Sequence, residues 1–202
     1  MPFSRISPDA RIYMRRCADG DYYADDGPGI GIRYIGIDPD IPALPGTVVT
    51  DGDFRIDDEL FLMTIDSPTH PIPAANKKLL VRAGDGYARD DFRHEHFLVI
   101  TSEGKRVLMS GCAHNGMLNI METFEKKLGG APDFVISGFH MMKATEYTAD
   151  EVRDIRETAE KLMEYDTLYY TCHCTGIPAF DIMKGIMGDR LKYVHTGDEI
   201  II

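Results

Sequence analysis

The chain predicts an α/β layered fold in which helices cover a sheet, and three observations carry that expectation. From Phe97 onward, apolar β-rich runs alternate with segments of helical period, in the order strand, strand, helix, strand, helix, strand, helix, strand. Glycines and a capping signal separate these segments. The composition is that of an ordinary globular protein, 44% hydrophobic and 27% charged over 202 residues, enough for one large domain or two small ones.

In chain order, the first third is rich in turn residues. A strand is expected at Arg11 to Arg15. It is followed by "CADGDYYADDGPGIGIRYIGIDPDIPALPG", dense in Gly, Pro and Asp. The "GPGIGI" inside it is not a dinucleotide fingerprint, because no strand feeds it and no helix follows. Short strands are expected at Thr47 to Thr50, Phe54 to Ile56 and Leu60 to Ile65, before a second irregular stretch, "SPTHPIPAANKK".

The regular part begins with "FLVIT" and "RVLMS", which flank "SEGK" as a β-hairpin. Met117, Ile120, Met121, Phe124 and Leu128 then recur at helical spacing, and Gly129 and Gly130 supply the stop. "DFVIS" reads as a buried strand. Thr148 and Glu151 form a capping box ahead of the stripe Val152, Ile155, Ala159, Leu162 and Met163. "TLYYT" is another strand, followed by a helix around Pro178 to Met187 and a final hairpin, "LKYVHTGDEIII". The expected organisation is a single domain over 1–202, with a loop-rich strand region at 1–90 and an α/β half at 91–202.

Charge and length narrow the function. Lys and Arg total 22 against 33 Asp and Glu, a formal charge of −11. That balance argues against nucleic acid or an anionic membrane as partner. No apolar run approaches the roughly 20 residues of a membrane-spanning helix, and "MPFSRISPDARIYM" lacks the apolar core of a leader. The expectation is a cytoplasmic protein with a small-molecule partner, self-association into a homo-oligomer being open. Four cysteines are too few for a disulfide framework at this size, and three of them stand within two residues of a histidine.

His114, His140 and His173 each follow an apolar strand by a few residues. If those strands are neighbours, the three imidazoles converge on the crevice beyond their carboxyl ends. One such histidine is more often structural, whereas three, two of them beside cysteines, point to a metal site. His94 and His96 form an H-x-H ahead of "FLVIT", where alternation would put both on one face, for a metal or simply as part of an edge strand. His70 and His195 read as structural or exposed. Cys172-His173-Cys174 is not a C-x-x-C redox pair. Cys112 is a ligand, a packing residue or a reactive thiol. A closed zinc site from Cys112, His114, His173 and Cys174 has tighter spacings than the usual knuckle.

"HEHFLVITSEGKRVLMSGCAHNGMLNIMETF", "DFVISGFHMM", "YYTCHCTG" and "VHTGDEIII" together resemble the second half of the metallo-β-lactamase-fold metallohydrolases, in the branch similar to dihydropterin-aminobenzene ribosyl-phosphate synthase. The likeness runs over Asp90 to Ile202, through a G-C-[SA]-H-x-G turn, a G-F-H segment and an H-C-T-G turn. It implies a partial αββα sandwich and a two-metal scaffold in which a metal-acidified water attacks a phosphoryl or acyl centre. The implied cofactor is a divalent metal, zinc first, with iron or manganese as alternatives. The implied ligands are His114 and His173, with Cys112 as a further candidate. His140, His94, His96 and Cys174 are implied substrate-binding or supporting residues. A second register, equally open, makes His94 the third-motif histidine and Cys112 the counterpart of the bridging acid.

The H-x-H-x-D-H signature of that superfamily is absent, and no histidine precedes His70. The expectation is therefore a domain lacking its N-terminal portion, with an incomplete metal set and incomplete activity over this length. Its function would be that of a metal-dependent hydrolase-like protein acting on a phosphorylated or pterin-like small molecule. The alternatives are a non-catalytic protein with a single structural zinc, or a fragment completed by a partner chain.

Overall fold

The computed structural model describes residues 6–202, so the first five residues of the stretch read as lacking a leader lie outside the described residues. The strands are β1 (Ile12–Arg15), β2 (Tyr22–Asp25), β3 (Ile32–Tyr34), β4 (Thr47–Thr50), β5 (Phe54–Arg55), β6 (Leu60–Met63) and β7 (Leu79–Ala83). They continue as β8 (Gly86–Arg89), β9 (Phe97–Ser102), β10 (Lys105–Met109), β11 (Phe134–Ser137), β12 (Leu168–Thr171) and β13 (Leu191–Tyr193). The helices are α1 (Met117–Leu128), α2 (Ala149–Leu162) and α3 (Ile177–Met187). The chain divides into two compact units, one ending at Phe54 and resuming over Lys77–Glu95, the other formed by Arg55–Asn76 and His96–Ile202.

In the first unit, β1 and β4 pair in parallel, with Ile12 opposite Thr47 and Arg15 opposite Thr50. A four-stranded antiparallel sheet runs in the order β3-β2-β7-β8. Two of its strands, β2 and β3, lie where the sequence predicts turn-rich chain, and β7 and β8 lie where it predicts no element. Their short length and exposure explain why: every residue of β3 and β8 is exposed, so no apolar alternation marks them. This unit's core is small, built on Ala24, Leu79 and Phe92.

The second unit carries a mixed sheet in the order β13-β12-β11-β10-β9-β6-β5. β9 and β10 form the predicted antiparallel hairpin, with Lys105 opposite Ser102. β10, β11, β12 and β13 are successive parallel neighbours, and each connection contains one helix. The expected α/β alternation is thus present as β10-α1-β11-α2-β12-α3-β13, mixed strands flanked by helices.

The helices form because their apolar stripes match the sheet's core. Met117, Ile120, Met121 and Phe124 of α1 are buried in one cluster with Leu108, Val135 and Tyr169 of the sheet, as are Ile155, Ala159 and Leu162 of α2 and Ala179, Met183 and Met187 of α3. Each large apolar side chain so buried is worth about 1.5–3 kcal/mol relative to exposure. Tyr169 keeps its hydroxyl satisfied by donating to the Leu162 carbonyl at 3.0 Å. At the start of α2, Thr148 Oγ1 accepts from the Glu151 amide at 3.3 Å, and Glu151 Oε2 accepts from the Thr148 amide at 2.8 Å. The predicted capping box is therefore present.

The predicted terminal hairpin is not. Only Leu191–Tyr193 is strand, paired in parallel with β12. The "HTGD" segment closes a turn, with the His195 amide donating to Asp198 Oδ2 at 2.8 Å and the Asp198 amide to the His195 carbonyl at 3.1 Å. Residues 199–202 form no strand, and Ile201 is 88% exposed. Among the described residues no helix is long and apolar enough to cross a membrane.

Candidate metal centre

Because β10, β11 and β12 are parallel neighbours, their carboxyl ends, Met109, Ser137 and Thr171, lie on one edge of the sheet. The turns that follow them therefore meet. They are tied by backbone hydrogen bonds: Gly138 N–H to Gly111 O at 2.8 Å, and Met141 and Met142 N–H to Cys174 O at 2.9 and 2.8 Å. Phe139 N–H also donates to Thr175 Oγ1 at 2.8 Å. Each turn holds one non-glycine residue in the left-handed region, Ala113 at φ 56°, His140 at φ 49° and His173 at φ 49°. That conformation costs of order 1–3 kcal/mol per residue and concentrates at functional sites.

These turns bring Cys112, His140 and Cys174 together, with one ligand atom from each lying within 4.8 Å of the others. Cys174 is buried and the other two are half-buried. Gly138 makes the approach possible, since a Cβ there would stand 2.6 Å from Cys174 Sγ. His114 packs edge-on against His140, ring centroids 4.3 Å apart. The backbone under His114 is held by Asn76, whose Nδ2 donates to the His114 carbonyl at 2.6 Å. Asn119, buried in α1, accepts from the Thr69 and His70 amides at 2.8 and 2.7 Å. It also donates to the carbonyls of His70 and Asn115 at 2.9 and 2.7 Å, fastening the proline-rich loop to α1.

The electrostatics favour a thiolate. The Cys112 thiol is lowered to about 2, first by the neighbouring Cys174 thiol, then by the nearby His114 and His140 imidazoles, against the opposing effect of burial. Cys174 is pushed up by the neighbouring Cys112 sulfur and by burial, so the pair shares one proton with the charge on Cys112. Burial, and then the charge on Cys112, raise Cys172.

A divalent cation fits these residues. Both ring nitrogens of His140 are buried with no hydrogen-bond partner among the described residues, an arrangement whose cost a metal bond removes. Two sulfurs and one imidazole nitrogen form a soft donor set, suited to zinc and ill-suited to magnesium or manganese. Thiolates on one tetrahedral zinc, each at about 2.3 Å, lie roughly 3.8 Å apart, so a cluster spanning 4.8 Å needs only a modest contraction.

The sequence candidates fall as follows. Cys112, His140 and Cys174 converge, with His114 in contact with His140. His173 is exposed, on the 3-10 turn His173–Thr175. His94 does not share a strand face with His96, because β9 starts only at Phe97. A turn centred on Phe92, at φ 54°, precedes it, and His94 Nε2 is 2.9 Å from Asp90 Oδ2 and edge-on to Tyr22. His96 is half-buried at the start of the second unit's sheet. His70 lies 3.5 Å from Glu122 and His195 lies 3.5 Å from Asp198. Gly138, Asn76 and Asn119, which shape or brace the site, went unnoticed in the sequence; the one available signal was a glycine directly after a buried strand in "SGFH".

No protein-family profile matches the chain. Over 109 residues it is 26% identical to an uncharacterized protein of Methanocaldococcus jannaschii, covering 54% of this chain. The matched segment spans only 37% of that relative's length. The chain also superposes on the crystal structure of Tm1679, a metal-dependent hydrolase of the β-lactamase superfamily. The TM-score is 0.73 at 22% identity, over 95% of this chain and 71% of that one. The chain shares the fold of that structure.

Proposed function

We propose that the chain is a metal-dependent hydrolase-like protein that holds a divalent cation, zinc by preference, through Cys112, His140 and Cys174. Its substrate is a small phosphorylated or pterin-like molecule. The observation that carries this reading is His140, whose two buried ring nitrogens have no hydrogen-bond partner among the described residues. Its ring lies in one cluster with two thiols. The cation, when bound, supplies Lewis-acid polarisation and a nucleophilic water at neutral pH.

The chain's own groups do the rest. Cys112 enters as a thiolate, and Cys174 gives up its proton on binding, so uptake of the metal releases protons and weakens as pH falls. His114 fixes the plane of the His140 ring from the side. His173, exposed on its turn, is available to a substrate rather than to the buried cluster. The phosphorylated or pterin-like substrate class comes from the family resemblance, and the TM-score of 0.73 to a metal-dependent hydrolase supports the reaction class.

A second reading, a non-catalytic protein with one structural zinc, is favoured by the donor set itself. Thiolate-rich sites close a fold more often than they open to substrate, and here the ligands come from three separate turns. Hydrolysis of bis(p-nitrophenyl) phosphate and p-nitrophenyl phosphate by zinc-loaded protein, before and after chelation, separates the two. Turnover that disappears with chelator and returns with zinc supports the hydrolase. Tightly bound zinc without turnover, whose removal unfolds the second unit, supports the structural site. Absence of stoichiometric binding refutes both.

A further inference from the structure

We infer that the carboxyl ends of β1 and β4 form an anion site for the phosphate group of a small phosphomonoester. The two strands are parallel, with Arg15 opposite Thr50. Each chain segment therefore delivers its next residues, Arg16 and Cys17 on one side and Asp51 on the other, to the same edge. Arg15, Arg16, Cys17, Thr50, Asp51 and Arg93 line a concavity of about 300 Å³ there. Three guanidinium groups line it, Arg16 paired with Asp51 and Arg93 with Asp91, which leaves a local excess of one positive charge, on Arg15, in a chain of formal charge −11. Such an inversion of sign within a concave surface concentrates anions.

The arginines are positioned by the protein. Arg16 donates from Nε and Nη2 to the two Asp51 carboxylate oxygens at 2.8 and 3.2 Å, a fork-on-carboxylate contact. Arg15 Nη2 donates to the Asp51 carbonyl at 2.8 Å. Arg93 Nε donates to Asp91 at 2.7 Å while its side chain stays 77% exposed. Arg15 Nε, in contrast, is buried with no hydrogen-bond partner among the described residues. A charged donor left so is costly, which makes Arg15 the least satisfied of the three guanidiniums. Asp51 and Asp91 neutralise two of the three charges, and the phosphate of a phosphomonoester, anionic at pH 7, meets the one that remains. A volume at the lower end of the range for small-molecule sites suits a phosphate with a short organic tail. A nucleic-acid backbone needs an extended basic stripe, which a chain of this charge does not offer.

Cys17 is a free, exposed thiol in the lining, so its alkylation reports occupancy. The intact protein is treated with iodoacetamide, a neutral reagent, in inorganic phosphate, in glycerol phosphate, or in chloride of equal ionic strength. Modification of Cys17 is followed by peptide mass spectrometry. Both phosphates should slow it in a saturable way and chloride should not. Arg15→Gln and Arg93→Gln should each raise the half-protecting concentration about tenfold. If Arg15→Gln does not fold, the exposed Arg93 variant decides alone. Equal protection by chloride, or wild-type protection in the folded variants, overturns the site. Protection by inorganic phosphate alone, or by phosphatidic acid vesicles but not glycerol phosphate, overturns the assignment to a small phosphomonoester.

Discussion

Replacing Gly138 by alanine should damage the proposed metal centre without touching a proposed ligand. The added Cβ would stand 2.6 Å from Cys174 Sγ, 3.1 Å from the Gly111 carbonyl oxygen and 3.4 Å from that of Cys172. An ordinary non-bonded contact is about 3.5–4.0 Å, so the sulfur must retreat by roughly 1 Å. It has little freedom to do so, because the Cys174 carbonyl accepts from both Met141 and Met142 and the residue is buried. Overpacking of this kind costs about 1–3 kcal/mol. A metal–sulfur bond of about 2.3 Å also tolerates far less than that displacement, so zinc affinity should fall at least about 10–100-fold, the loss seen when supporting residues alone are disturbed.

Urea denaturation of the metal-free protein reads the first effect, and competition against a chromophoric chelator reads the second. Gly185→Ala is the control: it lies within α3, and a Cβ there meets nothing within 4 Å. It should leave zinc affinity unchanged and stabilise the protein by a few tenths to about 1 kcal/mol. A Gly138→Ala protein with the wild-type urea midpoint and wild-type zinc affinity would refute the close approach of Cys174 to Gly138.

Asn119→Ala removes three hydrogen bonds between α1 and the proline-rich loop and a fourth to the Asn115 carbonyl, two of the four serving half-buried amides. The expected loss is about 3 kcal/mol in urea denaturation, and a loss below about 1 kcal/mol would contradict the fastening role. Glu151 has its carboxyl lowered from 4.5 to about 2, mainly by Lys143 and then by the Thr148 amide. A carboxylate depressed on folding contributes stability above its unfolded value and loses it as pH falls through the folded one. The Tm difference between wild type and Glu151→Gln should accordingly be constant from pH 8 to about 5 and shrink between 4.5 and about 2. A difference that grows on acidification would reverse the sign and sink the assignment.

How much of this was legible in the sequence depended on whether periodicity or topology carried the information. α1 and α2 bury regular apolar stripes, and the Thr148–Glu151 box marks its own helix start, so both helices could be read directly. β3 and β8 bury nothing, and therefore left no pattern in the glycine- and aspartate-rich first third. The parallel pairing of β1 with β4 joins strands more than thirty residues apart, which no local signal announces. At the site, the convergence of three turns followed from an α/β reading, but the roles within each turn did not. In "CHC" a regular strand would project both cysteines together. The 3-10 turn at His173–Thr175 instead buries Cys174, leaves Cys172 half-buried and exposes His173. The terminal hairpin read from "LKYVHTGDEIII" failed because Asp198 captures the His195 amide in a turn, and the last residues do not return to β13.

The central claim is that Cys112, His140 and Cys174 hold one metal ion, and cobalt(II) titration tests it most directly. Sulfur-to-cobalt charge-transfer absorption counts thiolates, and strong visible bands report tetrahedral coordination. One equivalent should saturate the wild type with the intensity of two thiolates. Cys112→Ser and Cys174→Ser should each remove about half of that charge-transfer intensity, since each deletes one of the two sulfurs. His140→Ala should weaken binding and His173→Ala should leave the spectrum unchanged. A spectrum like that of aqueous cobalt, or full charge-transfer intensity in the Cys112→Ser, Cys174→Ser double variant, would contradict the assignment.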